Sequence, residues 1–151
     1  MALSNLDLLY RQVLVEYSQH PHHYGELAKH TGMGQGANAS CGDRIVINVL
    51  RAETGLIAEI GWVGQGCAIH QASASMMSDL LVQHSVSEGR ALIDQFLQLV
   101  RGDTVVQDGL GETVLLAGVQ QFPARLPCAT QPWHVMRDLL DEEKEVHHGR
   151  N

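Results

Sequence analysis

The spacing of apolar positions changes several times along the chain, and each change marks an element. Over residues 4 to about 18, Leu6, Leu9, Tyr10, Val13, Leu14 and Tyr17 recur at intervals of three and four, which predicts a helix with one apolar face. Ser4 is placed to cap it, and Pro21 stops it near His20. In the polar stretch that follows, Gly32, Gly34 and Gly36 crowd together ahead of Cys41. No helix opening with Lys-Ser/Thr follows them, so they read as a mobile approach to the cysteine rather than a phosphate loop. Residues 44–51 and 56–63 are rich in Ile and Val with partial alternation, and Glu53-Thr54-Gly55 between them predicts a hairpin turn.

After Gly64-Gln65-Gly66-Cys67 the period becomes helical. Ala68, Ile69, Ala72, Met76, Leu80 and Leu81 form a stripe interleaved with Ser73, Ser75 and Ser78, small residues that permit close packing against a sheet. Leu92, Ile93, Phe96, Leu97 and Val100 mark another helix over 87–101. A loop over 102–111 and a short helix over 110–119 come next. A last helix, starting near Thr130-Gln131-Pro132, carries Trp133, Val135, Met136, Leu139 and Leu140. About 1–3 and 142–151 are expected to fray. No repeat or long linker divides residues 1–151, so the prediction is one α+β domain, a small antiparallel sheet packed against several helices.

Composition narrows the function classes. At 151 residues and 44% hydrophobic content the chain can bury a real core, and with only 5% aromatic residues it must do so with aliphatic and Met side chains. A net charge of −7 argues against a nucleic-acid partner. No run is apolar enough for a membrane span and the first residues do not resemble a signal peptide, so the chain reads as cytoplasmic. Thiols stay reduced there, and an odd count of three cysteines does not make a disulfide framework.

Those cysteines carry the chemistry. Cys41-Gly42-Asp43 spaces a thiol and a carboxylate so that, in an extended segment, both face one side. Cys67 ends a Gly-x-Gly turn before a helix, and Cys128 lies two residues before the expected cap at Thr130, so both sulfurs fall near helix N-termini that favour thiolates. Cysteine is commonly a small buried hydrophobe, but three of them beside Gly, Pro or helix starts argue for a site. Three thiolates and one carboxylate make a four-coordinate shell suited to zinc, and soft sulfur also suits an iron–sulfur cluster. With zinc the set keeps a net charge of about −2, and Arg44 and Arg125 are placed to offset it. On residues alone this is a thiolate-rich metal or sulfur site.

The motifs resemble the U-type iron–sulfur assembly family, which includes IscU, SufU and the N-terminal domain of NifU. The resemblance runs through Leu9-Tyr10-Arg11-Gln12-Val13, Cys41-Gly42-Asp43-Arg44-Ile45, Gly64-Gln65-Gly66-Cys67-Ala68-Ile69, Ala72-Ser73-Ala74-Ser75-Met76-Met77 and Phe122-Pro123-Ala124-Arg125-Leu126-Pro127-Cys128-Ala129-Thr130. Two features are closest to SufU: a long Cys67–Cys128 interval, and Pro127 where IscU-like members carry a histidine ligand. The resemblance implies zinc held by Cys41, Asp43, Cys67 and Cys128, and sulfur accepted from a cysteine desulfurase of the SufS type for downstream iron–sulfur assembly proteins. On this reading the chain is a zinc-dependent sulfurtransferase, with Cys41 as acceptor beside a Gly-rich flank and Arg125 orienting the persulfide. The alternatives are a scaffold for a labile [2Fe–2S] cluster or iron on the same donors, and a structural zinc adaptor. His70 stands where the family carries a small polar residue, one turn from Cys67. It is expected to be partly exposed, with a spare-ligand role as the alternative. His20, His22 and His23 are expected in a solvated loop.

Overall fold

The computed structural model describes residues 5–38, 42–103, 105 and 107–149. Three antiparallel strands, β1 (Gly32–Asn38), β2 (Asp43–Arg51) and β3 (Ile57–Gln65), lie in the order β1-β2-β3. Around them pack the helices α1 (Asn5–Gln19), α2 (Ala68–Leu81), α3 (Val86–Val100) and α4 (Leu126–Gly149). The architecture is α+β, as the periodicity predicts. Among the described residues no helix is long and apolar enough to cross a membrane.

The hairpin forms because alternate residues of its strands enter the core. Ile45, Ile47 and Val49 of β2 are buried, as are Ile57, Ile60 and Trp62 of β3. Gly55 closes the turn at φ +92, a conformation in which L side chains are strained, and its N–H donates to the Ala52 carbonyl at 2.9 Å.

The glycine run before Cys41 is strand β1 rather than a mobile loop, paired from Gly32↔Val49 to Asn38↔Asp43. Its inward positions have no side chains because α4 supplies them. A Cβ on Gly34 would lie 3.2 Å from Val135 Cγ1, and one on Gly36 only 2.6 Å from Val135 Cγ2. The helix therefore lies directly on the strand backbone.

Helix α2 is the centre of the molecule. His70, Ala72 through Ser78 and Leu81 are all buried, among α1, α4, β3 and the 3-10 turns of Gly111–Gln121. It thus packs well beyond the sheet expected of it. Its serines satisfy themselves without bulk: Ser78 Oγ donates to the Ala74 carbonyl at 2.9 Å, and Ser75 Oγ to that of Tyr17 at 3.1 Å. Helix α3 begins with a capping box in which Ser85 and Glu88 exchange side-chain and backbone hydrogen bonds. The expected cap of α1, Ser4, lies outside the described residues.

Helix α4 begins at Leu126, four residues ahead of the predicted start, so Thr130 is not its cap. Thr130 Oγ1 instead donates back to the Leu126 carbonyl at 3.2 Å. Pro127 sits in the first turn, where its missing N–H has no partner to lose. Trp133 stacks on Phe96 of α3 with ring centroids 3.7 Å apart, locking the two helices. Replacing Gly36 with Val is expected to destabilise the fold by about 1–3 kcal/mol through overpacking. Urea unfolding of the two proteins would measure it, and equal midpoints would contradict the tight strand–helix contact.

Candidate metal centre

Antiparallel pairing sets the first two parts of the site side by side. The register Arg44↔Gln65 puts the start of β2 against the end of β3, so Asp43 neighbours Gly66 and Cys67. Cys67 occupies the N-cap position of α2 with extended φ −70 and ψ 172, and its side chain makes no capping hydrogen bond. The sulfur is therefore available to the site. The first turn of α4 delivers Cys128. Donor atoms of Asp43, Cys67 and Cys128 all lie within 4.8 Å of one another.

Asp43 and Cys128 are buried and Cys67 is half-buried. Ser73 Oγ donates to the Ala129 carbonyl at 2.6 Å and accepts the Trp133 indole N–H at 2.8 Å, tying α2 to the residue after Cys128. Gln131 Nε2 reaches the Asp43 carbonyl at 3.5 Å, tying α4 to β2. Both helices direct their N-terminal ends at the cluster, and that end of a helix favours negative charge.

Cys41 lies outside the described residues. Gly42, however, has φ +76 and donates its N–H to the Asn38 carbonyl at 2.7 Å. The backbone therefore turns at Gly42, directly before β2 begins at Asp43. Arg125 lies beside this cluster. Its guanidinium hydrogen-bonds Cys128 and feels the charges of Cys67, Cys128 and Asp43, which together hold its pKa above the ordinary value. Arg44 does not join it. One residue along the strand from buried Asp43, it is exposed and lines a groove with Tyr24, Gln35 and Val63.

The donor set fits a metal ion. Asp43 Oδ2 is buried with no hydrogen-bond partner among the described residues. A carboxylate left that way is costly unless a cation completes its shell. Two sulfurs and a carboxylate oxygen suit zinc or iron.

His70 departs from expectation, being fully buried rather than partly exposed. Its Nε2 lies 2.7 Å from Gln131 Oε1. Burial pushes its pKa down, against smaller upward effects of the Gln131 hydrogen bond and the Asp43 charge. Gln131 itself carried no sequence signal, since its partners are distant in the chain. His22 and His23 are not simply solvated. Both hold Asp79 of α2, at 2.5 and 2.9 Å, and among the described residues neither joins a metal-binding cluster.

The family model of the NifU-like N-terminal domain matches residues 9–129. A Streptococcus pyogenes protein named iron-sulfur cluster assembly scaffold protein IscU is 38% identical, over 98% of this chain and 92% of its own length. The zinc-dependent sulfurtransferase SufU of Bacillus subtilis is 30% identical, over 93% of this chain and 95% of its own. In three dimensions the chain is similar to the N-terminal part of a nitrogen-fixing NifU-like protein from Brucella abortus. The TM-score is 0.82 at 18% identity, covering 94% of this chain and 99% of that one, a likeness of fold.

The His70 shift gives a pH dependence for the metal-free protein. The unfolded chain binds a proton near pH 6.5, and the folded ring resists it. Below that pH the unfolded state therefore carries more protons, and stability is lost progressively as pH falls toward the folded pKa. Urea unfolding between pH 7.5 and 5.5 should show a smaller loss for His70→Gln than for the parent. Equal losses would remove His70 as a cause.

Proposed function

The chain belongs to the NifU-like N-terminal domain family, and from that we propose an iron–sulfur cluster assembly protein that accepts sulfur from a cysteine desulfurase at a zinc site. The zinc ligands in this reading are Cys41, Asp43, Cys67 and Cys128. The observation that carries it is the convergence of Asp43, Cys67 and Cys128 donors within 4.8 Å. The Arg125 guanidinium on Cys128 supports it, because a cation beside the sulfurs suits an incoming anionic persulfide. The Bacillus subtilis relative, named a zinc-dependent sulfurtransferase, supports zinc. Pro127 adds weight, since it removes a nitrogen ligand of the IscU kind directly before Cys128.

When bound, zinc keeps the thiols deprotonated. The chain's residues then divide the work. The Cys41 thiolate attacks the outer sulfur of the desulfurase persulfide. A sulfur–sulfur bond forms on Cys41 as the desulfurase's own breaks, and its cysteine departs as a thiolate. No net oxidation occurs. Arg125 holds the incoming negative charge, and buried Asp43 fixes the β2 side of the site. The partner is a desulfurase of the SufS type, and the persulfide passes on to later assembly proteins.

A second reading is a scaffold that builds a [2Fe–2S] cluster as cargo on the same donors, favoured by the name of the Streptococcus pyogenes relative. Anaerobic purification separates the two. Stoichiometric zinc retained while the desulfurase is stimulated is expected for the acceptor, whereas a visible chromophore passed to an apo-acceptor would establish the scaffold. With radiolabelled cysteine and desulfurase, Cys41→Ala should take up no label. Normal uptake would reassign the acceptor. Asp43→Ala should stay folded and lose stimulation roughly tenfold or more, while matched losses of fold and stimulation would point to a structural adaptor.

A further inference from the structure

Two sulfurs of the cluster lie close enough to react with each other. Neither Cys67 nor Cys128 is in a disulfide, and their Sγ atoms are within 4.8 Å of one another. A disulfide shortens that separation to about 2 Å. Cys67 is the side chain placed to move. It sits at the N-cap of α2 with an extended backbone, ahead of the first helical turn, and makes no capping hydrogen bond. Cys128 is fixed by comparison, since the next residue, Ala129, accepts a hydrogen bond from Ser73 Oγ at 2.6 Å.

The pair divides the roles that thiol oxidation needs. Cys67 is half-buried and meets solvent, whereas Cys128 is fully buried, so a small oxidant encounters Cys67 first. The Arg125 guanidinium hydrogen-bonds Cys128. A cation there stabilises the thiolate, which is the form of sulfur that attacks. An accessible cysteine with a second one beside it to resolve it yields a reversible bridge, where an isolated one proceeds to irreversible sulfinic acid. Joining the sulfurs also removes two ionisable groups from beside the buried Asp43 carboxylate.

We propose that a peroxide oxidises Cys67 and Cys128 to a reversible disulfide, a redox switch that closes the metal centre. The Cys67 sulfur attacks one peroxide oxygen. A sulfur–oxygen bond forms, the oxygen–oxygen bond breaks, and hydroxide leaves to be protonated to water. The product is a Cys67 sulfenic acid. The Cys128 thiolate beside Arg125 then attacks the Cys67 sulfur. A sulfur–sulfur bond forms, the sulfur–oxygen bond breaks, and the second hydroxide leaves as water. Each sulfur gives up one electron, and the peroxide takes both.

The bridged chain has lost two donors of its cluster and holds no ion until a thiol reductant reopens it. The bridge itself rests on the geometry of the two sulfurs. Its effect on sulfur traffic rests on the acceptor reading: under peroxide the chain stops accepting sulfur while its thiols are kept recoverable.

The test treats zinc-loaded protein with hydrogen peroxide, blocks the remaining thiols with an alkylating agent and maps the peptides by mass spectrometry. A Cys67–Cys128 cross-link is expected, with zinc released to a chromophoric chelator in step with it and bound again after dithiothreitol. Cys41→Ser should form the same cross-link. Cys128→Ser should instead accumulate a Cys67 sulfenic acid that dimedone labels, because the resolving sulfur is gone. A predominant bridge to Cys41 overturns the proposal. So does oxidation to sulfinic and sulfonic acids alone, or zinc release with every thiol still open to alkylation. Radiolabelled sulfur uptake by the untreated parent separates the two readings. Uptake without a cross-link after peroxide removes the switch alone, and a cross-link in a chain that takes no label removes the acceptor reading alone.

Discussion

One buried hydroxyl sets the register between the two helices that meet at the site. Ser73 donates to the carbonyl after Cys128 and receives the Trp133 indole, so its donor and one acceptor position are both used. A larger side chain could not occupy that point of the α2–α4 contact, and an alanine would leave the indole N–H and the carbonyl to find other partners in a dry interior. The distance between Cys67, ahead of Ser73, and Cys128, behind Trp133, follows from this clamp. The stack of Trp133 on Phe96 extends the same register to α3.

The sequence was legible where side chains themselves make the pattern. The β2–β3 hairpin shows in alternating Ile and Val, and α2 and α3 in their three-and-four stripes. Strand β1 was hidden because its inward positions are glycines, and the volume that marks it comes from Val135 and Leu139 on another element. The early start of α4 was hidden by Pro127 and Pro132, which read as breaks although both fall within its first two turns. At the cluster, Cys67, Cys128 and Asp43 stood out by type and spacing, and Arg125 beside Cys128 by its charge. The burial of His70 did not, because it depends on Gln131 and on the contact of α2 with α4, which no local window contains. Arg44 was misplaced for a simpler reason: strand alternation turns it away from its neighbour Asp43.

The donors come from the start of a strand, the cap of a central helix and the first turn of the last helix. No short segment of the unfolded chain offers a comparable chelate. Metal binding and folding are then linked, with ligand at a thousand times its dissociation constant adding about 4 kcal/mol to native stability.

The contact of Gly36 with Val135 has an evolutionary side. The bare strand backbone and the branched side chain above it divide one fixed volume between them. A relative can carry a side chain on the strand only if the helix residue shrinks, so drift at either position is constrained by the other. The pair should vary as a unit, and a chain that changed one member alone would sit in a fitness valley that the second change must repair.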